Sequence, residues 1–197
     1  MAPYYRYLAY VGMFCWFWSA VFHTRDFVFT ERMDYFGAGA NVLYGLYYAP
    51  IRLFRLYRPT HKDTLKAWTW LCVAAYVAHV YYLQFIDWDY GYNMAANVVV
   101  GGLGNILWTT YSWRQYSKSK RVWATWPGMI VTWLVAAMSL ELLDFPPVLD
   151  AIDAHALWHA ATIIPAVWWY HFLVRDARQD VEFGDEKVIQ RVKEVKE

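Results

Sequence analysis

Charge is scarce in this 197-residue chain. Charged residues make up 18% of it, against about a quarter in a soluble domain, and they gather in short stretches. Cysteine is nearly absent. Cys15 and Cys72 both fall inside apolar segments, where a thiol packs as a small apolar group. They build no disulfide framework and do not report the redox compartment. There is no Asn-x-Ser/Thr sequon, no repeat and no low-complexity tract. No basic face of the kind that nucleic acid requires appears outside short loops, which excludes a nucleic-acid partner. Residues 1–6 lack a cleavable leader pattern. The first apolar run has no small-residue cleavage site before Arg25 and reads as a retained span.

What is present is apolar and aromatic. The chain is 59% hydrophobic and 21% aromatic, with thirteen Trp. Six uncharged or nearly uncharged segments stand out, at about residues 7–23, 34–54, 65–85, 92–113, 126–142 and 153–174. Each is close to the ~20 residues that a helix needs to cross a bilayer. Backbone groups in hydrocarbon must satisfy one another, so helices are the expected structure. The expected fold class is therefore all-α, a polytopic transmembrane helical bundle of about six spans over residues 1–174. A charged tail follows over 175–197, as a short surface helix or a disordered segment. Pro50, Pro127 and Pro165 lie in or beside spans, and Pro165 is expected to kink the last one. Gly37, Gly39, Gly101 and Gly104 would let helices approach closely.

The loops set an orientation. Arg52, Arg55, Arg58, Lys62 and Lys66 follow or border span two, and Arg114, Lys118, Lys120 and Arg121 follow span four. Arg175, Arg178, Lys187, Arg191, Lys193 and Lys196 lie in the tail. The positive-inside rule makes these regions cytosolic. The alternate loops carry Asp87 and Asp89, or Asp144 and Asp150, with no base. They are expected to be lumenal, as by alternation is the mixed loop over 24–33. Both termini are then cytosolic.

Ionisable groups within spans point to function. The last span opens with Asp153-Ala154-His155-Ala156-Leu157-Trp158-His159, and His155 and His159 share a helix face. The first span ends with Ser19-Ala20-Val21-Phe22-His23, where Ser19 and His23 are also four apart. Asp34 begins the second span. The topology puts all five at one membrane depth. They read either as interfacial caps and polar packing contacts or as a site. As a site, His23, His155 and His159 are three imidazoles, the donor set of a catalytic zinc with one open position. Asp34 is a general base, and Ser19 donates a hydrogen bond to a developing oxyanion. A rival arrangement makes Ser19 a nucleophile with His23 as its base, which leaves His155 and His159 without a role. His79 is either second in line to the site or a packed histidine. Glu141 and Asp144 are interfacial or orient a ligand histidine.

The segments Phe22-His23-Thr24-Arg25-Asp26, Glu31-Arg32-Met33-Asp34-Tyr35-Phe36, Asp89-Tyr90-Gly91-Tyr92-Asn93 and Leu140-Glu141-Leu142-Leu143-Asp144-Phe145-Pro146-Pro147, with the 153–159 stretch, resemble the post-GPI-attachment-to-proteins factor 3 family, the GPI-specific phospholipase A2-like proteins. The resemblance runs from about Tyr10 to Val174. The wider superfamily includes alkaline ceramidases and adiponectin-type receptors. It shares a Ser-x-x-x-His pair, an Asp on the next helix and a late His-x-x-x-His, which Ser19, His23, Asp34, His155 and His159 match. The resemblance implies GPI-anchor lipid remodelling in the endoplasmic reticulum or Golgi. The reaction would be removal of the sn-2 acyl chain from the phosphatidylinositol of GPI-anchored proteins, with zinc as cofactor and the site facing the lumen. The family also carries a signal peptide, a Cys-containing lumenal region and a further first span, so this chain is expected to begin at the family's second span. Other functional readings are a ceramidase-like amidase, a metal or ion transporter or homeostasis factor, and a non-catalytic receptor or scaffold. A transporter would carry polar residues through the full membrane depth, whereas here they concentrate toward one face.

The topology is tested by single-cysteine labelling. A cysteine at Ser119 is expected to react only from the cytosol and one at Pro147 only from the lumen. Reaction of both from one side would overturn the orientation.

Overall fold

A computed structural model describes residues 1–143, 145–147 and 152–194, with side chains described at these positions except 141 and 180–194. Among the described residues there are six α-helices and no β-strand. They are α1 (Ala2–Thr24), α2 (Val28–Leu53), α3 (Lys62–Tyr81), α4 (Tyr90–Ser119), α5 (Trp126–Leu143) and α6 (Ala154–Glu194). The all-α expectation therefore holds. Short 3-10 turns precede α3 (Pro59–His61) and α5 (Val122–Thr125), and a π-turn, Tyr82–Ile86, ends α3. Asp144 and Asp150, which marked one loop as lumenal, lie outside the described residues. So do the side chains of Glu141 and of the bases from Lys187 onward.

Two segments, Pro59–Ile86 and Val122–Leu140, are long and apolar enough by composition to cross a membrane. The other helices are diluted by Tyr, Trp, Gly and His, which a hydropathy average scores poorly. Their outer faces are nonetheless those of a membrane protein. Phe17 on α1, Val99 and Ile106 on α4, and Ile163, Ile164 and Val167 on α6 are all exposed. Such continuous apolar faces would be costly in water and are what lipid requires.

The chain divides into two compact units, Met1–Leu107 and Trp108–Glu197. In the first, α1 and α2 form an antiparallel pair. Tyr5 packs edge-on against Tyr48 at 5.9 Å. A Cβ on Gly37 would come within 3.2 Å of the Cys15 Cα, so glycine is needed for this approach. Tyrosine and tryptophan tie the helices together by donating to backbone carbonyls. Tyr44 reaches the Tyr4 carbonyl (3.0 Å), Tyr76 the Phe36 carbonyl (2.9 Å) and the Trp68 indole the Tyr47 carbonyl (2.9 Å). These aromatic side chains fill apolar space and bring a polar tip that finds a partner.

The second unit is built around Phe172, which is fully buried. Trp108, Tyr111, Trp123 and Trp169 surround it at centroid distances of 5.4–6.2 Å. α5 and α6 run antiparallel, with Trp126 against Trp168 and the Trp133 indole donating to the Ala161 carbonyl at 2.9 Å. That last bond has a specific cause. Pro165 has no N–H, so the carbonyl four residues earlier, that of Ala161, loses its helical donor. The indole takes its place, and α6 continues past Pro165.

α6 also continues past Val174, where the sequence reading begins a charged tail. Asp176 and Gln179 are buried there, and the Tyr111 hydroxyl donates to the Asp176 carboxylate. A buried acid with a phenol partner is invisible to a composition count, which registers only the surrounding arginines.

Trp133→Phe keeps the ring and removes the donor to Ala161. It is expected to lower unfolding stability in detergent by about 1 kcal/mol. In a Pro165→Ala background, where the helical N–H is restored, the same change should cost measurably less.

Candidate metal centre and its surroundings

Three of the five candidate residues belong to the first unit. Cys15, Ser19 and His23 recur every four positions and form one stripe on α1. Cys15 faces α2 at Gly37, so the stripe faces α2 as well. Ser19 is buried, whereas His23, in the last turn, is exposed. The contacts of Tyr5 with Tyr48 and of Cys15 with Gly37 set the antiparallel register. That register places Asp34 level with Trp18 and Ser19. The Asp34 carboxylate is within electrostatic reach of the Cys15 thiol. The register therefore puts the serine and the acid at one level on two adjacent helices.

Asp34 does not open its helix. α2 starts at Val28, about two turns earlier, because Glu31 and Arg32 belong to the helix although they break the apolar run. Thr30 holds the intervening turn: its hydroxyl accepts from the Phe27 N–H (3.0 Å) and lies 3.0 Å from the Arg25 and Phe27 carbonyls. The α3–α4 loop covers the same end of this unit. Trp88 stacks on Tyr35 at 5.2 Å, lies under the Arg32 guanidinium, and donates to a Glu31 carboxylate oxygen (3.3 Å). The two loops read as lumenal thus meet at one end of the first unit.

His155 and His159 belong to the second unit. Asp153 caps α6, its carboxylate accepting the Ala156 N–H at 2.7 Å. The cap fixes the first turn and with it the two imidazoles. Their Nε2 atoms stand 3.0 Å apart, with the rings edge-to-face at 85°. Two nitrogen ligands at about 2.0–2.1 Å on a tetrahedral zinc would stand roughly 3.3 Å apart. The pair thus has the separation of two ligands on one metal. It also serves as a ring-to-ring hydrogen bond, one nitrogen carrying the proton and the other accepting it. Imidazole nitrogens suit a zinc, and within the second unit His155 and His159 converge.

The α5–α6 register places His159 level with about Val135 and His155 with about Ser139. Between the same two helices runs an apolar cleft of about 610 Å³, lined by Met129, Thr132, Trp133, Ala136, Ala137, Leu140 and Ala161. The alanines make the room. Nothing in the sequence reading anticipated this cleft, because it depends on which alanines of α5 and α6 face one another.

A second polar group lies in the first unit. His79 Nδ1 is 3.4 Å from the Tyr92 hydroxyl, and its buried Nε2 lies near Gly39 without a hydrogen-bond partner. Asn97 donates to the Asn93 carbonyl and side chain. His79 stood out in sequence as an ionisable group, and Tyr92 and Asn93 as part of the Asp89–Asn93 motif; Asn97 did not, because an asparagine within a span signals less than a charge does.

The sequence profile of the Per1-like family matches residues 1–177. The protein PER1 homolog of Schizosaccharomyces pombe is 48% identical over 187 residues, covering 91% of this chain and 54% of that protein. The GPI-specific phospholipase A2-like PGAP3 of Danio rerio is 41% identical over 169 residues (85% and 51%). That of Homo sapiens is 38% identical over 181 residues (91% and 54%). The chain spans about half the length of the curated relatives it matches. No solved structure matches.

Thr30→Val keeps the shape of the side chain and removes its hydroxyl. It is expected to cost about 1 kcal/mol and to raise amide exchange at Phe27 and Glu31, read by hydrogen–deuterium exchange.

Proposed function

The chain belongs to the Per1-like family, and from that premise we propose that it is a metal-dependent ester hydrolase of GPI-anchor remodelling. Its substrate would be the phosphatidylinositol of GPI-anchored proteins, from which it removes the sn-2 acyl chain. Relatives that carry the description GPI-specific phospholipase A2-like support the substrate class. The observation that carries the reading is the convergent His155–His159 pair, on the same helix pair as an apolar cleft of about 610 Å³. In this reading all six helices are spans, both termini are cytosolic, and the site faces the lumen of the endoplasmic reticulum or Golgi.

His23, His155 and His159 are the proposed zinc ligands. When bound, zinc supplies a Lewis acid that polarises a carbonyl and brings the pKa of water to about 7. The chain's own groups do the rest. The cleft between α5 and α6 receives the acyl tail and holds the ester at the level of the histidines. Asp34 accepts a proton from the attacking water. As the water oxygen bonds to the carbonyl carbon, the Ser19 hydroxyl donates to the carbonyl oxygen that gains charge. The bond from the carbonyl carbon to the glycerol oxygen then breaks, and the proton held by Asp34 passes to that oxygen. The products are a free fatty acid and a lysolipid still joined to the protein. Placement at span ends suits the substrate, since a diacyl lipid keeps its tails in hydrocarbon and its esters near the headgroups.

Purified wild-type protein is expected to hold about one zinc per chain, with His155→Ala losing most of it. Asp34→Asn should keep the metal and lose about 10²–10⁴ in rate. In cells lacking the family's activity, GPI-anchored proteins would then retain two-acyl phosphatidylinositol. Ser19→Ala should slow the reaction by about 10², less than loss of a ligand. Normal remodelling with Asp34→Asn would refute the base assignment, and normal remodelling with every site variant would refute the hydrolase.

A further inference from the structure

The opposite end of the second unit carries a separate group of polar residues. Arg121, Trp123, Arg175, Arg178 and Gln179 line a cleft of about 310 Å³. The three guanidinium groups come from two places in the chain, brought together by buried bonds. Lys120 takes a left-handed conformation (φ 53°) that reverses the chain after α4. The Ser112 hydroxyl donates to the Ala124 carbonyl at 2.6 Å, fixing the short turn that follows Arg121. The bond from Tyr111 to Asp176 holds α6 against α4 beneath Arg175 and Gln179.

Three like charges around one cleft repel one another unless an anion joins them. Among the described residues none of the three has a carboxylate partner. Arg175 lies over the Trp126 ring at 4.8 Å, and the nearby acid, Asp176, is fully buried and engaged by Tyr111. A second observation is independent of the charges. Gln179 is 5% exposed. Its Oε1 accepts from Gln115 at 3.4 Å, but its Nε2, buried at the wall of the cleft, has no protein acceptor. A buried N–H donor left without an acceptor is costly, and here it stands among three cations. Among the described residues the site lacks what a tetrahedral oxyanion would supply, which is negative charge and several acceptor oxygens.

Depth narrows the class of ligand. Arg121 directly precedes the apolar segment Val122–Leu140, and Arg175 directly follows the apolar part of α6. Trp123 and Trp126 sit at the same level, as tryptophans do at a membrane interface. The cleft therefore lies at headgroup depth. Twenty positions of α6 separate Arg175 from His155, roughly 30 Å of helix. With α6 a membrane span, as in the function proposed above, the cleft and the histidine pair belong to opposite membrane faces.

We propose that Arg121, Arg175, Arg178 and the Gln179 amide bind the phosphate group of an anionic lipid headgroup, in the leaflet opposite the histidine pair. A phosphomonoester suits the site best, since it offers three oxygens and up to two charges to three guanidinium forks and one amide.

The full chain in detergent micelles, titrated with phosphatidic acid and read by native mass spectrometry, tests this. A parallel arm uses inorganic phosphate, and phosphatidylcholine is the control lipid. Wild type is expected to bind one phosphatidic acid in preference to phosphatidylcholine. Arg175→Gln with Arg178→Gln, and separately Arg121→Gln, should weaken binding by roughly tenfold per guanidinium removed. Gln179→Met, which keeps length and removes the donor, should weaken it severalfold. Arg6→Gln, in the other unit, should leave it unchanged. Thermal unfolding shows which variants remain folded, and either arginine variant alone suffices. Binding of inorganic phosphate by wild type as tight as that of phosphatidic acid would assign the site to free phosphate and remove the lipid from the proposal. Equal binding by wild type, the folded arginine variants and Arg6→Gln would overturn it.

Discussion

Hydrocarbon offers the backbone no partner, and most of the features described above follow from that constraint. A helix satisfies itself except where a proline interrupts it or where it ends. Pro165 is the clearest interruption, and the Trp133 indole answers it by donating to the Ala161 carbonyl. The same bond joins α5 to α6 at the wall of the apolar cleft. In the first unit, Tyr44, Tyr76 and Trp68 cross between helices to reach backbone carbonyls. Much of the aromatic excess is therefore structural: large rings fill space between helices and carry their one polar atom to a place where it is used.

Helix ends are where the chemistry collects. A polar side chain in mid-membrane is expensive, but one in the first or last turn lies close to water and headgroups. His23 ends α1 and His155 begins α6, and each end is held by a capping group, Thr30 across the α1–α2 turn and Asp153 at α6. Ser19 and Asp34 sit deeper on rigid helices, where packing settles their direction. The proposed site, built on helix ends but supported by helix interiors, would combine access to a lipid ester with fixed geometry, the condition for electrostatic catalysis.

α6 connects two chemistries. At one end a pair of imidazoles presents nitrogen lone pairs, suited to a cation. At the other, arginines and an amide present N–H groups, suited to an anion. The apolar stretch between them has about the length of a membrane crossing. In the proposed topology, one helix positions donor sets of opposite character on two faces of one bilayer.

The helical class and the apolar segments were legible in the sequence, and so were the five residues proposed as a site. Hydrophobic runs report directly what lipid demands, and a charged or imidazole side chain inside such a run has few structural reasons to be there. The four-residue spacings of Ser19 with His23 and of His155 with His159 already put each pair on one helix face. Helix limits were less legible: α2 begins before Asp34 and α6 runs beyond Val174, because polar residues continue a helix that apolar patterning no longer marks. What only the tertiary structure decided are the meetings between helices. These include the approach at Gly37, the indole at the Ala161 carbonyl, the alanine-lined cleft, and the burial of Asp176 beneath an arginine cleft. Each depends on which residues of two distant segments face one another. Sequence periodicity fixes a residue's direction around its own helix and carries no information about the neighbour it meets.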